Sequence, residues 1–465
     1  MNLLKSSTDR KITIDENKSG SSNLGTTPVP RLIVSLAIPA IAAQIINALY
    51  NIVDRIYIGM IPGVGDMAMT GVGVSFPIII LVSAFAQLIG SGGAPLASIE
   101  LGKGSKDRAE AILGSSAASL FMISILLSIV LQTTKNPILM LFGASEITIE
   151  YADQYLFIYL LGTIFVQFSL GLNSFISSQG KIKIAMLSVL IGAILNIILD
   201  PIFIFTLNLG VKGAALATVI SQAASALWII RYLLSHKSAV RLKKKYIKFD
   251  KKVILPILAL GVSPFIMQLT ECLINIIFNS GLQKYGGDYY VGAMTIITSV
   301  MQLIYIFCNG ITQGVQPVIS YNYGAKNYIR VKTAYRLGFA LHIIIGSLIV
   351  AIIMLFPSFF ASLFTDNFEM INIVTYMMPI FVCGWGIFGI QSGVQCTLVG
   401  LGQAKTSLFL ACLRKIILLI PLAIILPSFL GVIGIFLAEP ISDIISAITA
   451  GFIFKRKIKQ VLGTI

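Results

Sequence analysis

Apolar residues run along the chain in blocks of roughly 20 or more, separated by short polar or basic stretches. A helix of about 20 residues crosses the ~30 Å hydrocarbon core of a bilayer, so each block is long enough to be a span. The blocks fall at 31–59, 69–100, 108–133, 151–177, 184–207 and 209–234, then at 253–282, 290–321, 331–357, 371–399, 405–428 and 431–454. Period-two alternation between turns is missing, which argues against the strands of a membrane barrel. The pattern predicts an all-α integral membrane protein with twelve transmembrane helices.

The blocks repeat. Gly92, Pro95, Gly102, Arg108 and Gly180 recur as Gly314, Pro317, Gly324, Arg330 and Gly402, each 222 positions later. The stretch from Leu209 to Gln222, LGVKGAALATVISQ, recurs from Leu430 to Asp443 as LGVIGIFLAEPISD, at an offset of 221. The duplicated unit holds six spans. An even number preserves orientation, so the halves should relate by an axis along the membrane normal, as parallel transporter repeats do. The expected organisation is a disordered cytoplasmic tail at 1–28, a six-helix lobe at 29–236 and a basic cytoplasmic linker at 237–252. A second six-helix lobe follows at 253–456, with a short tail at 457–465.

Composition supports the membrane reading. Of the 465 residues 56% are hydrophobic and 11% charged, against about 25% charged in soluble domains. Mean hydropathy is +0.91. The net charge of +15 is not spread as a nucleic-acid surface would be. Lys and Arg gather in alternate loops, at Lys103–Arg108, Lys181–Lys183, Arg241–Lys245, Lys326–Lys332 and Lys455–Lys457. Positive charge marks the cytoplasmic side, so both termini are expected in the cytoplasm, with the lipid bilayer, not nucleic acid, as the partner. The five cysteines sit in apolar stretches without C-x-x-C spacing and read as buried hydrophobes. His236 and His342 are expected near cytoplasmic span ends.

Five acids fall inside the apolar blocks: Asp54, Asp200, Glu271, Glu439 and Asp443. A carboxylate at the bilayer centre costs about 2.5–3.5 kcal/mol by insertion scales, so each needs a partner or a watery cavity. Asn196 and Asp200 are four apart and share a helix face. Pro201 disturbs helical hydrogen bonding beside them, and Thr218 offers a hydroxyl on the next span. Asn47 and Asn51 precede Asp54 by two turns and one. Two carboxylates, an amide and a hydroxyl suit a hard cation such as Na⁺, and a carboxylate pair equally suits a proton. For Asp54, Glu439 and Asp443 the alternative is a group near a span end reaching the headgroups.

At these motifs the chain resembles a known family. The segment LAIPAIAAQIINALYNIVDRIYIG, from Leu36 to Gly59, resembles the first helix of multidrug and toxic compound extrusion (MATE) transporters. LNIILDPIFIFTLNLGVKGAALAT, from Leu195 to Thr218, is similar to the fifth and sixth helices of the family's prokaryotic DinF-like, MepA-like branch. The resemblance covers essentially the whole chain after residue 28. It implies two six-helix lobes that export small organic cations against entry of H⁺ or Na⁺. By motif match it implies a cation site at Asp54, Asn196, Asp200 and Thr218, with Asn173 another polar position in that lobe. Glu271 resembles the acid that the NorM-like branch carries on the first helix of the second lobe. Whether it binds cation, contacts cargo or pairs with Arg414 stays open.

Glu439 stands where the repeat has Thr218, with Asp443 one turn on, so the lobes differ in chemistry. Met267, Met294, Met301, Tyr305 and Trp385 could line a pocket for flat cations, with Gln391 among the amides of the cleft; ordinary helix packing is the alternative. Neither a phosphate loop nor a nucleophile triad nor a metal-ligand cluster is present, which argues against an enzyme and against direct use of ATP. No cofactor beyond the coupling ion and no obligate protein partner is expected. Competing readings are a lipid-linked saccharide flippase, which would line its cavity with Arg and Lys, and a membrane receptor or channel.

Overall fold

A computed structural model describes residues 23–463. Twelve long helical spans dominate it, two of them broken: α1 Val29–Gly59, α2 Gly65–Gly102, α3 Lys106–Leu141, α4 Thr148–Leu161 with Thr163–Ser178, α5 Ile182–Thr206 and α6 Val211–Leu234. The second lobe repeats the order with α7 Lys251–Tyr285, α8 Asp288–Gly324, α9 Tyr328–Leu355, α10 Phe368–Val382 with Trp385–Gly400, α11 Ala404–Leu430 and α12 Val432–Leu462. Both broken spans are the fourth of their lobe, bent by 62° in α4 and 44° in α10. The bends come at equivalent glycines, Gly162 and Gly384, 222 positions apart.

The two lobes meet along the helices nearest their shared axis. α1 packs on α8, and α2 packs on α7. At the end where the basic loops gather, the crossing is at backbone contact. A Cβ on Gly102 would collide with the Tyr321 carbonyl oxygen, and one on Gly324 with the Ile99 carbonyl oxygen. Gly102 and Gly324 are repeat partners, and so are Ile99 and Tyr321, so one contact is made twice. Small residues let helices approach this closely in a membrane, where dispersion contacts hold them together.

Apolar cores divide the same way. At the basic end, Leu32 and Ile33 of α1 cluster with Ile182 of α5 and with Val315 and Ile319 of α8, across the lobe boundary. At the opposite end each lobe keeps a core to itself, one around Ile78, Leu156 and Ile204, the other around Ile297, Phe381 and Phe436. The lobes are therefore sealed together at the basic end and separate towards the other.

One expectation about a connecting segment is corrected. The tail expected to be disordered over 1–28 is ordered from residue 23; residues 1–22 lie outside the described residues. Leu24 is buried, and Arg330 Nη2 donates to the carbonyls of Leu24 at 2.9 Å and Thr27 at 2.6 Å. The basic linker is also tied down. Gln179 Oε1 accepts from the amides of Ala239 at 2.9 Å and Val240 at 3.1 Å, and Lys243 pairs with buried Glu110 at 2.5 Å. A second correction concerns His342, which is fully buried well inside α9, between Thr312 Oγ1 at 3.0 Å and the Gly338 carbonyl at 2.8 Å.

Candidate functional site

The first lobe brings Asp54 of α1 against Asp200 of α5, although 146 positions separate them. Their side chains lie within electrostatic reach of each other. Asn196, one turn before Asp200, donates Nδ2 to Asp200 Oδ1 at 3.3 Å. Asp200 is fully buried and Asn196 nearly so. Pro201 follows, and the backbone from Ile202 to Thr206 widens into a π-turn. Such turns recur at functional sites because they release carbonyls from the regular ladder. Thr218 lies on α6 beside Tyr155 of α4.

Several polar atoms here lack partners: Asp54 Oδ1, Asp200 Oδ2, Asn196 Oδ1 and Ser221 Oγ are all buried and unbonded. Each leaves an unmet desolvation cost of about 1–3 kcal/mol or more. Beside them is a cavity of about 50 Å³, lined by Asn47, Tyr50, Asn196, Thr218, Ser221 and Gln222 among others. That is room for a few waters or a small hydrated cation. A proton shared between the carboxyl groups, or a cation between them, would relieve their repulsion. Asn51 faces outward and donates to the Asn47 carbonyl at 2.7 Å. Asn173 is not part of this cavity; its Nδ2 reaches Ser188 Oγ at 3.2 Å, nearer the basic end.

The sequence reading missed the tyrosines. Tyr50, Tyr155 and Tyr159 lie around the acid pair, with the Tyr155 and Tyr159 rings stacked at 6.1 Å. The signal was available as tyrosines four apart on one face of α4.

The second lobe answers with charges. Arg414, on the π-turn Leu413–Leu419 of α11, is 1% exposed. Its Nε lies 2.6 Å from Asp443 Oδ1 and its Nη2 lies 2.8 Å from Glu439 Oε1. The guanidinium also sits over the Phe388 ring at 4.2 Å. Ser442 Oγ donates to the Arg414 carbonyl at 2.9 Å, which satisfies a group that the π-turn frees. Gln391 accepts a hydrogen bond from Ser446 beside Asp443. Glu271 pairs with Lys415 at 2.8 Å; of the alternatives open at the sequence level, pairing with Arg414 is excluded. Glu439 and Asp443 are buried among these partners and do not reach for headgroups.

Tyr305 and Trp385 do not line an open pocket. Their rings meet edge to face at 4.7 Å, and Trp385 belongs to the lobe's apolar core with Met294 and Met301. Here ordinary packing is the right reading.

The repeat relates the two sites residue by residue. Gly192, Thr218, Gln222 and Ser225 correspond to Arg414, Glu439, Asp443 and Ser446. The guanidinium fills in one lobe the space that Gly192 leaves open in the other.

Two facing six-helix membrane lobes, one with an acid pair at a cavity and one with a charge cluster, have the build of a membrane transporter and not of an enzyme. The sequence pattern of the MatE family matches residues 39–202 and 264–425, once in each lobe, and the chain belongs to that family. Its relatives align with the MepA-like branch. The multidrug export protein MepA of Staphylococcus haemolyticus (strain JCSC1435) is 25% identical over 91% of this chain and 92% of its own. Among solved structures, an outward-facing multidrug resistance MATE transporter of the MOP superfamily superposes with a TM-score of 0.87. It is 24% identical and covers 96% of this chain and 99% of its own. A MOP superfamily transporter from Pyrococcus furiosus, described as having a binding pocket of reverse polarity, gives 0.88 at 23% identity, over 95% and 98%.

Proposed function

We propose that the chain is a multidrug efflux antiporter of the cytoplasmic membrane, exporting organic, mostly cationic compounds in exchange for H⁺ or Na⁺. The observation that carries this reading is the meeting of Asp54 and Asp200 beside a cavity that Asn196 and Thr218 line, with buried oxygens left unpartnered. Both termini and the basic loops are on the cytoplasmic side, so the lobes are sealed inward and open outward. The names of the MepA relatives support the cargo class.

The acids are the binding site and α1 is the moving part. An external cation or proton enters the open end and neutralises the Asp54–Asp200 pair. Removing that repulsion lets α1 repack against α5, which alters the cleft and releases cargo outward. The lobes then rock, open inward and discharge the ion, and cargo binding resets the cycle. Exporting a monovalent cation against 100 mV costs about 2.3 kcal/mol, and each tenfold gradient adds about 1.4 kcal/mol. Entry of one ion down a comparable potential and gradient meets that cost.

A saccharide flippase is disfavoured on a specific ground. Such cargo needs unpaired cations for phosphate, yet Arg414 is held by two acids and Lys415 by a third. The test is ethidium flux in proteoliposomes under separately imposed proton and sodium gradients. One gradient should drive wild-type flux, and Asp200→Asn should abolish the gradient-driven component while the purified protein stays folded. Full gradient-driven flux in that variant would overturn the assignment.

A further inference from the structure

We propose that a groove on the flank of the first lobe, under the linker that joins the lobes, holds one anionic phospholipid. Its acyl chain lies in the groove and its phosphate on Lys248. The groove has a volume of about 480 Å³. Phe121 and Met122 of α3, Phe168 of α4 and Ile230 of α6 form its apolar wall. Ile247, Lys248 and Phe249 of the linker line it at the basic end. It runs about 8 Å along α3 from Ala117 to Met122, away from the basic end, so a chain entering there points into the bilayer.

The linker is held over this groove from both sides. On one side Tyr246 rests on α3: a Cβ on Gly114 would collide with its carbonyl oxygen, and its hydroxyl donates to Asp107 Oδ1 at 2.8 Å. On the other, Asp250 caps α7 by accepting from the Lys252 amide at 3.0 Å. Ile247, Lys248 and Phe249 bridge the two anchors, with the two apolar side chains 45% and 52% exposed. Exposed Ile and Phe around a lysine suit a membrane surface, where apolar groups enter the acyl region and the ammonium reaches the headgroups.

Charge selects the lipid. Lys243 pairs with Glu110, and Lys245 lies 3.7 Å from Asp107. Among the described residues no carboxylate pairs with Lys248, so its ammonium stands at an apolar groove with its charge unmatched. A phosphodiester above an acyl chain supplies both things this place lacks, an anion and apolar volume. Basic pockets beside membrane helices bind anionic headgroups on this ground. A zwitterionic headgroup brings a cancelling ammonium, and an organic cation is repelled. The inference rests on neither the cargo nor the coupling ion.

Native mass spectrometry of the detergent-purified full-length protein tests it, because it resolves lipids bound one at a time. The first dioleoyl phosphatidylglycerol should bind at least tenfold more tightly than dioleoyl phosphatidylcholine. Lys248→Glu should abolish that preference. Ala118→Trp fills the groove and keeps the lysine, and it should weaken the first phosphatidylglycerol by at least tenfold. Lys455→Glu makes the same charge change at the basic end of the second lobe and should bind as wild type does. Lipid-free melting temperatures matching wild type establish that the variants are folded. Equal binding of the two lipids by wild type would overturn the proposal, and so would an unchanged preference in Lys248→Glu. An equal loss in Lys455→Glu would also overturn it, by showing diffuse attraction to the basic face. Two competitors complete the test: glycerol 3-phosphate should leave the bound lipid in place, and so should dodecyltrimethylammonium. Displacement by the first would mark a site for soluble phosphate, and by the second an entry groove for cations; either result sinks the lipid assignment.

Discussion

Arg414 and Gly192 are equivalent residues of the two lobes: the side chain of one occupies a space that the other leaves as a cavity. The lobes share a backbone and differ in what fills it. One carries a site that a small ion can enter, and the other carries a cation of its own.

Replacing Arg414 by Met should be severe. It leaves Glu439 and Asp443 buried without a counter-charge, and breaking a buried pair from one side costs about 3–5 kcal/mol. The thermal midpoint of the purified protein should fall well below that of wild type. Adding Glu439→Gln and Asp443→Asn to the same variant should recover much of the loss. A midpoint for Arg414→Met equal to wild type would contradict the buried-cluster account.

Asn196→Ala should reduce gradient-driven ethidium flux by at least tenfold with little change in melting temperature. The amide nitrogen donates to Asp200 at 3.3 Å, and the amide oxygen is unpartnered at the cavity. The loss is in ligands and orientation, because the residue already has an unmet bond.

Gly324→Val should open the basic end. The added side chain collides with the Ile99 carbonyl, a rigid backbone atom with no easy retreat. A reporter cysteine at Ala37, buried on α1 where it meets Gly314, should be protected from maleimide in the parent and labelled in the variant. The five native cysteines are replaced in both. Equal protection would mean that the lobes tolerate the collision.

Arg330→Ala should free the ordered start of the chain. Three hydrogen bonds are lost, to the carbonyls of Leu24 and Thr27 and to Asn322 Oδ1. Amide exchange over residues 24–27 should quicken by at least tenfold, while helices remote from the contact exchange as before.

The sequence by itself determined the spans, the duplication and the acids out of place in lipid. Span length and apolar composition are local properties, and an offset near 222 is written directly in the glycines. Asn196 and Asp200 could be joined on paper because four residues make about one helical turn. Tertiary structure decided the rest. Asp54 reaches Asp200 only because α1 packs on α5, and nothing local encodes that contact. Arg414 and Lys415 are adjacent in sequence, but successive helical residues point about 100° apart. The rotation of α11 therefore assigns one to Asp443 and Glu439 and the other to Glu271. The same rotational choice turned Trp385 and Met301 into core, and the lobe crossing gave residues 24–28 a place to bind. Hydropathy records how deep a residue lies in the membrane. It does not record which way the residue faces, and a transporter's chemistry depends on that facing.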